Sequence, residues 1–346
     1  MKKYFILMAL VPTLLMAAAT HGAFRLVTTF VMRDVPKGPY FDHLTVDLAG
    51  NRLFTTPQAE HSVEVLNLKS GKLLHRIGGL QNPHSVFYRA DINRLYITDG
   101  GTEKLRVYDS NTYAPLKTLD GLPDADSIGY DPSTKNLYVT NGGESVKSEY
   151  SSLSVIDTGS LARLGDIKIK AAALEAMVLE KNGPLIYINM MDQNKIAVID
   201  RNSRKVVATW AVTKGHKNIA IALDEVHHRL FVGCRDTETS GVIVIFDTLT
   251  GKEMDTTLPI AGWVDYLAYD ASAGRLYGTC GPQVGETGYV YAFAEDGKNG
   301  YTLLSKVPTA LRAKTGLYVP ELGEIFVAVP HYEGPARVLG FRVPAS

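Results

Sequence analysis

The sequence predicts an all-β protein, a seven-bladed β-propeller with four antiparallel strands per blade. Three observations lead there. A short apolar–aromatic pair recurs seven times: Leu53-Phe54, Leu95-Tyr96, Leu137-Tyr138, Ile186-Tyr187, Leu230-Phe231, Leu276-Tyr277 and Ile325-Phe326. Its aromatics lie 42, 42, 49, 44, 46 and 49 residues apart, the repeat length of a propeller blade. No 3.6-residue apolar period is sustained anywhere after the first two dozen residues, so the repeats are not helical.

Each repeat carries the same four runs. The first strand is marked by an apolar residue seven positions before the pair: Val46, Tyr88, Tyr130, Leu179, Leu223, Tyr269 and Tyr318. The pair itself is the second strand. The third comprises residues 63–66, 105–108, 153–156, 196–199, 242–246, 290–293 and 338–341. In the first five copies it ends in Asn67, Asp109, Asp157, Asp200 or Asp247, followed by the small or polar residues that a tight turn requires. A fourth strand closes six units, at 73–77, 114–119, 164–169, 206–212, 253–258 and 301–307. The seventh unit lacks one, while a matching run, Phe24–Met32, stands unused at the N-terminal side. Pairing it with residues 338–341 closes the ring and removes the open sheet edges. The alternative, two β-sandwiches, does not account for seven copies in phase.

The organisation predicted is therefore residues 1–23 as a signal peptide and 24–346 as one propeller. Lys2 and Lys3 precede an uncharged run from Tyr4 to Ala19 that ends in small residues. An uncleaved anchor is the alternative, although the run is short for a span and contains Pro12. The expected location is periplasmic or secreted. The remaining composition fits a large globular core: 45% hydrophobic residues, 21% charged, 31 glycines. Lys+Arg and Asp+Glu are 36 each, and removing residues 1–23 takes away two lysines and no acid. A near-neutral to slightly acidic chain lacks the basic face of a nucleic-acid binder.

The segment Leu137-Tyr138-Val139-Thr140-Asn141-Gly142-Gly143, with Ser154-Val155-Ile156-Asp157-Thr158 after it, resembles the YVTN-repeat, YncE-like family of bacterial propellers. Leu95-Tyr96-Ile97-Thr98-Asp99-Gly100-Gly101 is a second, slightly departed copy, and Leu230-Phe231-Val232-Gly233-Cys234 departs more. The resemblance covers residues 24–346. It implies the propeller fold and an extracytoplasmic setting, and it implies little about activity. One relative is associated with single-stranded DNA, which gives a third functional reading. The tryptophan–aspartate dipeptide of WD40 blades is absent, and only two copies carry the Gly-Gly pair of kelch blades.

In this architecture the loops joining strand four to strand one, and strand two to strand three, share the face around the central channel, where ligands collect. Four residues before each first-strand marker stand Asp42, His84, Asp126, Glu175, Ile219, Asp265 and Lys314, with Asn218 beside the apolar exception. A core position would stay apolar through the repeat, whereas this one stays polar and varies in kind. With His43 and Arg312 these residues are the candidate ligand-binding set. Solvation of a water-filled rim and capping of turns account for the same polarity without a ligand. If Asp42, His84, Asp126, Glu175 and Asp265 converge, their mixed donors suit a divalent cation. Arg312 and Lys314 would neutralise Asp42 or Asp265, or orient an anionic substrate group. Tyr40, Phe41, Trp263 and Tyr332 map to the same rim, as do His61, His216 and His331.

Cys234 and Cys280 stand at equivalent places in adjacent blades, four residues past Leu230 and Leu276. Such points should lie roughly 10 Å apart, too far for a disulfide, which favours two free thiols even in an oxidising compartment. Arg235 and Asp236 read as ordinary loop charges. No serine-nucleophile, phosphate-loop, haem-attachment or zinc-helix motif is present. The function expected is a binding or interaction module holding a small polar molecule, a glycan or a protein at the channel mouth. The alternative is a metal-assisted propeller enzyme, a lactonase, hydrolase or lyase on a sugar-derived substrate.

Overall fold

The computed structural model describes residues 22–38, 40–285, 287–297 and 300–344. The predicted signal segment therefore lies almost wholly outside the described residues. Among the described residues, twenty-eight strands form seven four-stranded antiparallel sheets. The first strand of the described residues is β1 (Arg25–Met32). Blade 1 is β2 (Phe41–Asp47), β3 (Arg52–Pro57), β4 (Val63–Asn67) and β5 (Leu73–Ile77), and blade 2 is β6 (Pro83–Arg89), β7 (Arg94–Asp99), β8 (Lys104–Asp109) and β9 (Pro115–Asp120). Blade 3 is β10 (Ile128–Asp131), β11 (Asn136–Gly142), β12 (Ser151–Asp157) and β13 (Ala162–Ile169), and blade 4 is β14 (Leu174–Leu179), β15 (Leu185–Met190), β16 (Lys195–Asp200) and β17 (Lys205–Ala211). Blade 5 is β18 (Asn218–Asp224), β19 (Arg229–Cys234), β20 (Ser240–Asp247) and β21 (Lys252–Ala261), and blade 6 is β22 (Val264–Asp270), β23 (Arg275–Cys280), β24 (Tyr289–Glu295) and β25 (Tyr301–Pro308). Blade 7 joins β26 (Gly316–Val319), β27 (Glu324–Val329) and β28 (Ala336–Arg342) to β1, in the order β1-β28-β27-β26.

The N-terminal strand thus closes the ring as the repeat arithmetic requires, with Phe30 opposite Val338 and Met32 opposite Ala336. Phe30 and Met32 bury among Phe41, Leu44, Phe326 and Val338, so the closure is packed as well as hydrogen-bonded.

The seven second-strand aromatics are the reason the blades stack. Each is buried, at no more than 1% exposure, against the following blade. Phe54 meets Val86 and Ile97; Tyr96 meets Leu137 and Val139; Phe326 meets Leu44 and Leu53 across the closing junction. A strand's alternate faces both lie inside the ring, so these central strands are apolar on both sides. The third-strand asparagine or aspartate turns the chain as read from sequence. Asp109 Oδ1 accepts from the N–H groups of Asn111 and Thr112 at 3.0 and 2.8 Å, and Asp247 Oδ1 from those of Leu249 and Thr250 at 3.0 and 2.9 Å. Among the described residues no helix is long and apolar enough to cross a membrane.

Candidate functional site at the channel mouth

The polar position of the first strand gains its orientation from a backbone device. In five blades the pairing of strands one and two shifts register at that place: between Asp42 and Thr45, Pro83 and Val86, Leu174 and Met177, Asn218 and Ala220, and Val264 and Tyr266. Such bulges bend a strand and re-aim a side chain. In blades 3 and 7 the pairing begins only after the position, at Ile128 and Gly316, leaving Asp126 and Lys314 on the incoming loops. Hydroxyl and amide groups two residues past the buried aromatic then fasten these segments. Thr98 donates to the Asp126 carbonyl at 2.8 Å, Asn189 to the Ile219 carbonyl at 2.8 Å, and Thr279 to the Lys314 carbonyl at 2.5 Å.

The result is a cavity of about 140 Å³ whose wall takes Asp42, His43, His84, Asp126, Glu175, Ile219, Asp265 and Lys314 from seven blades, together with Arg235. Two of the residues expected here stand elsewhere. Asn218 is fully buried between blades 4 and 5, where its amide donates to Asn189 Oδ1 and the Lys195 carbonyl, both at 2.8 Å. Its neighbour Ile219 takes the rim place because the bulge sends alternate side chains to opposite sides. Arg312 is turned away onto the ring of Tyr332, 4.1 Å from its centroid. Phe41 is likewise core rather than rim. Conversely, Arg235, which reads in sequence as an ordinary loop charge, lines the mouth. Its proximity to Asp265 depends on how blades 5 and 6 meet, and nothing local in the sequence carries that.

The wall divides into two electrostatic sectors. In one, Asp265 is satisfied completely: Arg235 forms an ion pair with it, Lys314 Nζ lies 2.8 Å away, and Thr315 donates at 2.8 Å. Burial opposes its ionisation, yet the two cations hold its carboxyl far below the usual carboxylate range. Arg235 also lies 4.8 Å from the Trp263 ring centroid, whose indole N–H donates to Glu238 at 2.7 Å.

The other sector centres on His84. Its Nδ1 lies 2.8 Å from Asp42 Oδ2 and 3.9 Å from Asp126 Oδ1, and its Nε2 meets the Asn82 amide at 2.8 Å. Gln58 donates to Asp42 at 3.3 Å. Burial disfavours the imidazolium, but Asp126 and Asp42 outweigh it and push the His84 pKa up to about 10. Burial would raise Asp42 too, and His43 and His84 reverse that, holding it below its ordinary value. At Asp126 and Glu175 attraction falls short of burial: His84 and His43 draw Asp126 down, and Arg235 and Lys314 draw Glu175 down, without reversing the shift. Burial raises Asp126 to about 6, and burial with repulsion from Asp126 raises Glu175 to about 8. Glu175 makes no hydrogen bond or ion pair among the described residues. Of the five candidate metal ligands, Asp42 and Asp126 approach closely enough to share an ion, with His43 as the third donor: ligand atoms of the three lie within 4.8 Å of one another.

The other histidines of this face are held by loops. His61 Nδ1 meets the Gln81 carbonyl at 2.6 Å, and His331 Nδ1 the Val35 carbonyl at 2.7 Å. Both cysteines are buried and unbonded.

No protein-family model matches the chain, and no curated protein matches it by sequence. Solved structures do match in fold. A chain of the mitotic checkpoint complex superposes with a TM-score of 0.73 at 16% identity, covering 99% of both chains. The RRP9 WD40 repeats give 0.74 at 12% identity, over 92% of this chain and 99% of that one. Hydrazine synthase of Kuenenia stuttgartiensis gives 0.74 at 17%, over 91% and 98%. The chain is a seven-bladed β-propeller with WD40-repeat structures among its neighbours.

Proposed function

We propose that this chain is an extracytoplasmic binding propeller of the YVTN-repeat type, which holds a cationic ligand at the channel mouth. The YVTN-like segments of blades 2 and 3 support the family reading, and the basic-then-apolar start of the sequence supports export. Neighbours in fold that work as WD40 repeats or within a checkpoint complex are in keeping with an interaction module. The observation that carries the ligand class is the imbalance of the His84 sector. Asp42 is matched by His84 at 2.8 Å, while Asp126 stands 3.9 Å from the same imidazolium and the Glu175 carboxyl makes no hydrogen bond or ion pair, the more distant pull of Arg235 and Lys314 leaving it still raised. A positive group entering there relieves repulsion between carboxyls already held together by the fold.

Thermal unfolding with methylammonium, acetate or glucose, at fixed ionic strength and pH 9, tests this. Methylammonium alone should raise Tm, and the Asp126→Asn/Glu175→Gln double variant should lose the response. A response to acetate or glucose alone, or one unchanged in the double variant, overturns the reading.

The proximity of donors from Asp42, His43 and Asp126 favours a second reading, a divalent cation and the metal-assisted chemistry it would support. One Mn²⁺ per chain, lost in the His43→Ala/Asp126→Asn variant, would establish it.

A further inference from the structure

The mouth continues into a channel of about 280 Å³ that shares His43, Ser127, Ala176 and Asp265 with it. The wall of this channel is a hydrogen-bonding surface. Each first strand is the terminal strand of its sheet, so one edge of N–H and C=O groups is left unpaired by the blade. Residues 43–45, 85–87 and 265–267 each line the channel as three in a row. Side chains alternate between the two faces of a strand, so an unbroken run of three presents the strand's edge. Leu44, Val86, Ile221 and Leu267 accordingly keep their side chains in the cores between blades. Two hydroxyls add to these edges. Ser85 and Ser127 directly follow the rim residues His84 and Asp126, and they are only 4% and 5% exposed. Their backbones are fastened: the Ser85 N–H donates to Thr98 Oγ1 at 2.8 Å, and the Ser127 N–H to Thr140 Oγ1 at 3.0 Å. Neither serine Oγ makes a hydrogen bond to another described residue, although both residues line the channel. A buried hydroxyl is costly to leave unserved, so water or a ligand must meet each of them.

From the juxtaposition of carboxyls short of a close partner with free hydroxyls and strand edges, we infer that the ligand is an amino sugar. Its ammonium group is held by Asp126 and Glu175, and its ring hydroxyls bond to Ser85, Ser127 and the backbone edges of the channel. The inference rests on the cation-binding reading above and deepens it. A simple ammonium ion would serve the carboxyls and leave the channel groups to water. A neutral sugar would serve the channel and leave the carboxyls repelling one another. A guanidinium group only donates, whereas a strand edge presents both N–H and C=O groups, and a sugar hydroxyl donates and accepts at one atom. The channel wall is contributed by six blades. Pyranose hydroxyls point outward around the whole ring and suit a wall on every side, while the amides of a peptide lie along one line.

Calorimetric titration of the full chain at pH 7 with glucosamine, N-acetylglucosamine, glucose and methylammonium tests it. At that pH Asp126 is ionised and glucosamine is mostly in its ammonium form. Glucosamine should bind about tenfold more tightly than methylammonium, the gain expected of two further hydrogen bonds. It should also bind about tenfold more tightly than N-acetylglucosamine, which keeps the ring hydroxyls and loses the charge. Ser85→Ala/Ser127→Ala should weaken glucosamine about tenfold more than it weakens methylammonium. An equal effect on the two overturns the assignment of the hydroxyls. Should that variant fail to fold, the comparison of glucosamine with methylammonium on the unaltered chain decides. Methylammonium binding with no gain for glucosamine overturns this inference and leaves the mouth reading standing. Glucose or N-acetylglucosamine binding as tightly as glucosamine overturns the ammonium assignment, and binding of no amine at all overturns both readings.

Discussion

His84 Nδ1 and Asp42 Oδ2 meet at 2.8 Å across the junction of the first two blades, 42 residues apart in the chain. The pair fixes the charge of its sector: with His84 protonated, Asp42 is cancelled, and the surplus falls on Asp126 and Glu175. The carboxyls left short of a close partner therefore stand on blades 3 and 4, and they add negative charge to the mouth as Asp126 ionises near 6 and Glu175 near 8.

Stability should fall as pH rises from about 4 to about 10. Asp126 at about 6, Glu175 at about 8 and His84 at about 10 all sit above their ordinary values of 3.8, 4.5 and 6.5. The folded chain then binds more protons than the unfolded one across that window, and linkage gives a negative slope. The contribution of His84 is complete below about 6.5 and lost towards 10. The penalty of the two carboxyls is absent near pH 4 and complete above their folded values. Glu175→Gln should therefore stabilise by about 1–3 kcal/mol at pH 9 and by nothing measurable at pH 4. Urea unfolding at the two pH values reads the difference, and an equal shift at both would contradict it.

Removing the anion between two cations should be costly. Asp265→Asn leaves Arg235 and Lys314 facing each other in a confined wall, and the expected loss is about 2–4 kcal/mol. Adding Lys314→Met should recover part of it, because only one cation then remains. The double-mutant cycle in urea should show a coupling energy above about 1 kcal/mol. Additivity of the two substitutions would place them in separate environments.

The closing strand should matter as much as any strand inside a blade. Phe30 is 4% exposed and packs with Phe326 and Val338, so Phe30→Ala should cost about 3–5 kcal/mol. Because closure joins the first and last blades, unfolding should stay a single transition with an unchanged dependence on urea. A new early transition, with blades 2 to 6 unfolding later, would show instead that the ring opens locally.

The two thiols should be inert in the folded chain. Cys234 and Cys280 are both at 0% exposure; burial raises both, Cys280 to about 12. Ellman's reagent should find no thiol in native buffer and two in guanidinium chloride. A thiol titrating rapidly under native conditions would mean that the second-strand ends of blades 5 and 6 open freely.

Much of this protein is written locally. The seven apolar–aromatic pairs, their spacing and the aspartate turns specify four-stranded units, because strand periodicity and Asx-turn chemistry act over a few residues. The missing fourth strand of the last unit and the surplus strand at the start likewise dictate ring closure. The polar first-strand position was also visible as a column: all seven of its members, six polar residues and the apolar Ile219, line a single cavity.

Only the assembled ring decides what those residues do to one another. Arg235 looks like a loop charge until blades 5 and 6 set it against Asp265, and Asn218 looks like a rim residue until the bulge at the start of β18 turns it inward. The division of the mouth into a matched and an unmatched sector depends on distances between groups 30 to 50 residues apart in sequence, among them Asp42 with His84 and Asp265 with Lys314. Coulomb energy and desolvation follow separation and burial in space, and neither is encoded by any one strand. The blades, their number and the closure of the ring can be read along the chain, whereas only the assembled ring decides which charges cancel and which carboxyls stay short of a partner.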